Sequence, residues 1–100
     1  MKVLYNEKEV SILNLGEVRI GESKTYNYTL ENDSVWNVRD IELSLVDIDG
    51  KPVTEITFTE SPTTMKGNTR STLQFSWTPS IEIKRGLKTT LQIKAIEIWD

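Results

Sequence analysis

Asp47-x-Asp49-Gly50 is a short run whose residue types suggest a bound cation. In a helix–loop–helix calcium loop, Gly50 would take the sixth position. The first ligand position would then fall on Leu45 and the closing glutamate on Ile56, and neither side chain can bind calcium. The run is therefore expected to form a hairpin turn, for which an Asp-Gly pair is well suited. The other candidate acids are Glu7, Glu9, Glu17, Glu22, Glu31, Asp33, Asp40 and Glu42, scattered over predicted strands and turns. A glycosidase needs two carboxyls facing each other across roughly 5–9 Å, and no pair here is singled out; solvated surface is the expectation. The chain has no histidine and no cysteine. That removes the commonest general base, the thiolate nucleophile and the usual nitrogen and sulfur metal ligands. No catalytic, cofactor-binding or metal-ligating residue is expected, and the chain is read as a non-enzyme.

Three tryptophans and three tyrosines could instead form a sugar-stacking platform. Trp77, Tyr26 and Tyr28 share the parity of core positions in their runs, so they are assigned to the core. Trp36 follows the Asn32-Asp33-Ser34 turn. Trp99 lies out of phase near the end of the chain and is a candidate contact residue, since aromatics are enriched at interface hot spots; capping its own sandwich is the competing role. Asn27-Tyr28-Thr29 and Asn32-Asp33-Ser34 match the glycosylation pattern, which is read as chance. Lys84-Arg85 with Lys88 is read as a solvated basic loop. Gly16, Gly21 and Gly67 lie too far apart to cradle a phosphate.

The elements that must position these residues are strands. Period-two alternation places Tyr26, Tyr28 and Leu30 on one face of the first clear run. The same pattern gives Ile41, Leu43 and Leu45, then Ile56 and Phe58, then Leu73, Phe75 and Trp77. The last run offers Leu87, Leu91, Ile93 and Ala95. Apolar-in, polar-out alternation marks half-buried antiparallel strands. Turn signals fall between the runs at Leu15-Gly16-Glu17, Gly21-Glu22-Ser23, Asn32-Asp33-Ser34, Asp47–Pro52, Lys66-Gly67-Asn68, Pro79 and Arg85-Gly86. About seven short strands in a chain of 100 residues predict an all-β fold, an immunoglobulin-like antiparallel sandwich. A single domain spans residues 1–100, with residues 1–8 a strand-like N-terminal extension.

Twelve basic and fifteen acidic residues leave a net charge of −3. A phosphate-tracking protein would usually carry the opposite sign or a basic stripe, so no nucleic acid is expected as partner. No apolar run reaches the ~18 residues of a membrane span. Glu7 and Glu9 interrupt any secretory signal near Met1, and the product is expected inside the cell that makes it, or exported without a signal of its own.

Leu15-Gly16-Glu17-Val18, Gly21-Glu22-Ser23-Lys24 and Thr29-Leu30-Glu31-Asn32 follow one another in an order that resembles immunoglobulin-like domains of the abnormal-spindle and Hydin type. Lys66-Gly67-Asn68-Thr69 resembles their later turn, and Phe75-Ser76-Trp77-Thr78-Pro79 a variant of their Phe-x-Pro strand end. The resemblance covers roughly residues 10–95 and implies the sandwich, related to the major sperm protein fold. Such domains scaffold cilia, centrosomes, cell surfaces and virions, so the fold does not transfer a function. By this analogy the expectation is a non-catalytic bacteriophage virion component, such as a capsid decoration or head accessory protein. It would be assembled in the host cytoplasm, with a major capsid protein or neighbouring subunits as partner. A carbohydrate- or surface-binding module and a cytoplasmic scaffold domain are the alternatives.

Two irregularities locate the expected contacts. Ile96 and Ile98 are out of phase with Leu91, Ile93 and Ala95. Either a bulge near Ala95-Ile96 shifts the register, or the second set faces another surface. The resemblance also implies one more strand after Leu87–Ala95; either Leu87–Trp99 is one long final strand, or the sandwich lacks its last one. Lys2-Val3-Leu4-Tyr5 could cover the edge so vacated, in its own subunit or in a neighbour, and uncovered edges invite pairing and oligomers. Val3, Tyr5, Ile96, Ile98 and Trp99 are the candidate partner contacts.

Overall fold

The computed structural model describes residues 1–16, 18–79 and 87–98. Glu17, the Lys84-Arg85 pair, the Arg85-Gly86 turn and Trp99 lie outside the described residues. The described chain is all β. Its strands are β1 (Lys2–Tyr5), β2 (Lys8–Glu9), β3 (Leu13–Gly16), β4 (Lys24–Asn32), β5 (Asn37–Asp47), β6 (Ile56–Glu60), β7 (Thr69–Trp77) and β8 (Leu87–Ile98). They form two antiparallel sheets, β2-β1-β4-β7-β6 and β3-β8-β5, packed as a sandwich.

The alternation builds the core as expected. Tyr26, Leu30, Leu73, Phe75 and Trp77 are buried from the first sheet, and Leu13, Leu15, Val38, Ile41 and Leu45 from the second. Tyr28, Leu43, Ile56, Phe58, Leu87, Leu91 and Ile93 pack partly buried against them. Phe75 is fully enclosed and lies 5.3 Å from the Tyr26 ring, 5.9 Å from Tyr28 and 5.6 Å from Phe58, centroid to centroid. Asp47 and Lys51 close the β5 turn around a left-handed Gly50 (φ 80°). One oxygen of Asp47 accepts both the Asp49 and the Lys51 N–H, each at 2.9 Å. The carboxylate thus secures the hairpin by an Asx-type turn.

The N-terminal segment corrects one expectation. β1 does not cover the edge of the last strand; it pairs with β4 in the other sheet, with Val3 opposite Leu30 and Leu4 opposite Thr29. Its side chains explain why. Val3, opposite Leu30, joins the core from the inner face, while Leu4, opposite Thr29, is buried on the other face of the same sheet. Asn6 and Glu7, both left-handed (φ 51° and 67°), then turn the chain into β2. The chain crosses to the second sheet before Leu13, and β3 joins β8 only along Leu87–Thr89.

The bulge is also displaced from its expected place. It lies in β5, where Asp40 and Ile41 together face Ala95, between the pairs Arg39↔Ile96 and Glu42↔Lys94. Asp40 takes the left-handed conformation (φ 51°) that lets Val38 and Ile41 both point inward. β8 itself keeps its phase. Ile96 and Ile98 therefore face the surface opposite to Leu91 and Ile93, and Ile96 is 48% exposed.

Candidate functional site

One side of the sandwich is covered by two half-length strands placed on a diagonal. β1 shields β4 along Thr29–Glu31, and β3 shields β8 along Leu87–Thr89. Among the described residues, no strand lies beside Lys24–Tyr28 of β4 or beside Thr90–Ile98 of β8 on this side. The far edge of β5 is different. There Val38 and Met65 exchange backbone hydrogen bonds at 2.8 and 3.0 Å, and the Ile41 N–H donates to the Thr63 carbonyl at 3.0 Å.

The β8 edge is the longer of the two, roughly 30 Å at about 3.3 Å per residue. Its sequence, Thr90-Leu91-Gln92-Ile93-Lys94-Ala95-Ile96-Glu97-Ile98, is rich in β-branched residues and holds no proline or glycine. In a strand, alternate residues direct their N–H and C=O to opposite edges, so this stretch presents a row of backbone groups with no strand partner among the described residues. Inside it runs a groove of about 370 Å³. Leu91, Ile93 and Ala95 form one wall, with Val38 beside them and Met1 and Asn32 across the gap. The N-terminal ammonium lies 3.4 Å from an Asp33 oxygen, which fixes Met1 at the rim. Desolvation acts to raise the Asp33 carboxyl, but the ammonium, backbone hydrogen bonding and Lys2 outweigh it and hold it below its ordinary value.

Asn32 supports this end of the groove and was not foreseen. It is 1% exposed. Its amide donates to the Trp36 carbonyl at 2.8 Å and the Lys66 carbonyl at 3.1 Å, while its oxygen accepts the Ser34 N–H and hydroxyl. Its parity with Tyr26, Tyr28 and Leu30 was the available signal. A side chain so enclosed is not a glycosylation acceptor, and the Asn27 oxygen is engaged by Gln74 at 2.7 Å.

The shorter β4 edge borders a second groove of about 610 Å³, lined by Tyr5, Ile12, Asn14 and the Lys24–Tyr28 strand. Tyr5 is 52% exposed, and its ring sits 5.6 Å from Tyr28. Burial, with Tyr28 as neighbour, raises the Tyr26 phenol to about 12; burial and then Tyr5 raise Tyr28. Both phenols are hydrogen-bond donors at neutral pH.

No family model matches the chain, and no curated protein or solved structure matches it.

The candidate contacts thus separate. Val3 belongs to the core and is not a surface residue, because its side chain is buried beneath the β1–β4 pair. Tyr5 is exposed beside the β4 groove. Ile96 and the half-buried Ile98 stand on the outer face of the open β8 edge. Among the described residues no group of three or more acidic side chains could hold a metal ion.

Proposed function

We propose that this protein is a non-catalytic binding module that accepts an extended segment of a protein partner on the free edge of β8. One observation carries the reading: among the described residues, Thr90–Ile98 has an unpaired backbone edge directly beside the groove walled by Leu91, Ile93 and Ala95. Backbone pairing on such an edge supplies affinity, and alternate side chains entering a groove supply specificity. The setting we favour is an assembled particle, a bacteriophage virion, in which the chain decorates the capsid or serves as a head accessory protein. A major capsid protein or a neighbouring subunit would then provide the segment. That setting rests on the resemblance to immunoglobulin-like domains and on the chemistry the sequence lacks.

A photo-crosslinking side chain placed at Gln92 or Ile96, in the cells that make the protein, tests this. The expected result is one dominant adduct whose mass spectrum identifies a single protein, with none from Ile48, which is 82% exposed at a turn. Adducts from Ile48 and not from the β8 edge would reject strand addition. A partner outside the capsid would reject the virion setting alone.

A second reading, carbohydrate binding, is favoured by exposed Tyr5 beside Tyr28 in the larger groove. Titration with cello- and chito-oligosaccharides checks it. Saturable binding that disappears in Tyr5→Ala would support it, and the absence of any heat would reject it.

A further inference from the structure

We infer that the strand received by β8 is not the β8 edge of a second copy but an antiparallel segment with an acidic residue across from Lys94 and apolar residues across from Leu91 and Ile93. This inference rests on the strand-addition reading above.

The register with β5 shows what β8 accepts on its paired side. Glu42 stands across from Lys94, Leu43 across from Ile93 and Leu45 across from Leu91. Acid meets base on the outer face, and apolar meets apolar on the inner one. The open side of β8 presents the same inner and outer side chains, since directly opposed residues in a sheet share a face. β3 already lies antiparallel on that side at Leu87–Thr89, so an antiparallel newcomer continues the same line end to end with it.

The β8 edge of a second copy does not meet that pattern. Two β8 edges related by a two-fold axis pair antiparallel, and the axis keeps outer residues opposite outer residues. The outer face of the open edge carries Thr90, Gln92, Lys94, Ile96 and Ile98, without an acid. Its one acid, Glu97, lies on the inner face with Leu91, Ile93 and Ala95. No two-fold register can therefore set a carboxylate opposite Lys94. The register that uses the whole of Thr90–Ile98 places Lys94 directly against its own copy, and like charges directly opposed are destabilising. Lys94 acts here as a charge that discourages self-pairing of an otherwise adhesive edge, while leaving it open to an acidic-apolar strand.

The test uses the full chain and two synthetic peptides. One carries the Ile41–Asp47 sequence, which already has the acid and the apolar residues in the right order. The other is identical except for lysine in place of the glutamate. Binding is followed by titration, with amide chemical shifts locating it to Thr90–Ile98. The wild-type protein should bind the acidic peptide about three- to tenfold more tightly, the range of one cross-strand charge pair gained and one repulsion avoided. Lys94→Glu should reverse the order; circular dichroism confirms that this exposed substitution leaves the fold intact. Equal affinity for both peptides, or binding of neither, would overturn the inference. So would concentration-dependent dimerisation by sedimentation that maps to β8. The crosslinking result is independent of charge, so it decides strand addition separately from the identity of the strand.

Discussion

Tyr26 ties the two sheets together: its hydroxyl, on β4, donates to the carbonyl of Leu15 on β3, and both residues are buried. Removing the hydroxyl leaves that carbonyl enclosed without its partner. Tyr26→Phe should lower stability by about 1–3 kcal/mol, measured by denaturant unfolding. An unchanged midpoint would mean that the sheets do not depend on this tie.

The same tyrosine sets an alkaline limit. Its phenol is raised to about 12 in the folded chain by burial and by Tyr28, against about 10 when unfolded. Unfolded protein loses the proton first, so the associated stability is present below pH 10 and is lost as pH climbs towards 12. Unfolding free energy should therefore decline over that interval, and more gently in Tyr26→Phe. Equal slopes in the two proteins would contradict this.

Phe75 is the centre of the aromatic cluster, with no exposed surface. Phe75→Ala should cost about 3–5 kcal/mol, a large part of the roughly 5–15 kcal/mol that holds a domain together. A melting temperature within a few degrees of wild type would show that the inner face is misassigned.

Gly67 lies against the Ser34–Val35 backbone, where an added Cβ would come within 2.3 Å of the Val35 carbonyl oxygen. Backbone has to move to admit it. Gly67→Ala should destabilise by about 1–3 kcal/mol through overpacking and disturb the Asn32 hydrogen bonds that join Trp36 to Lys66. Differential scanning calorimetry of this single variant decides the point.

Calcium should leave the melting temperature where EDTA leaves it. One Asp47 oxygen is committed to two backbone N–H groups of the turn, and among the described residues no group of three or more acidic side chains could hold a metal ion. Asp47→Ala should loosen the hairpin by about 0.5–1.5 kcal/mol. A rise in melting temperature at millimolar calcium would reassign the turn as a cation site.

Much of the architecture was legible along the chain because burial on one face of a strand imposes period two. Tyr26, Leu30, Leu73, Phe75 and Trp77 could be placed inside from spacing alone, and the turns at Gly50 and Gly67 from residues suited to tight backbone. Even the β5 bulge left a mark: Val38 and Ile41 are both apolar at a spacing that strict alternation forbids. The break was read instead from Ile96 and Ile98 on the partner strand, because a register break belongs to a pair and one strand's sequence shows only half of it. Val3 went astray for a related reason. Its strand character was visible, but its choice between β4 and β8 depended on which edge let Val3 enter the core beside Leu30. Asn32 looked like a turn residue until the carbonyls of nearby Trp36 and of Lys66, distant in sequence, converged on it. What the order of residues determined by itself was local: which segments are strands, which side of each is apolar, and where the chain reverses. What only the tertiary structure decided was pairing: β1 on β4, β3 on the first residues of β8 and, among the described residues, the uncovered backbone from Thr90 to Ile98, because an edge is defined by the neighbours a strand does not have.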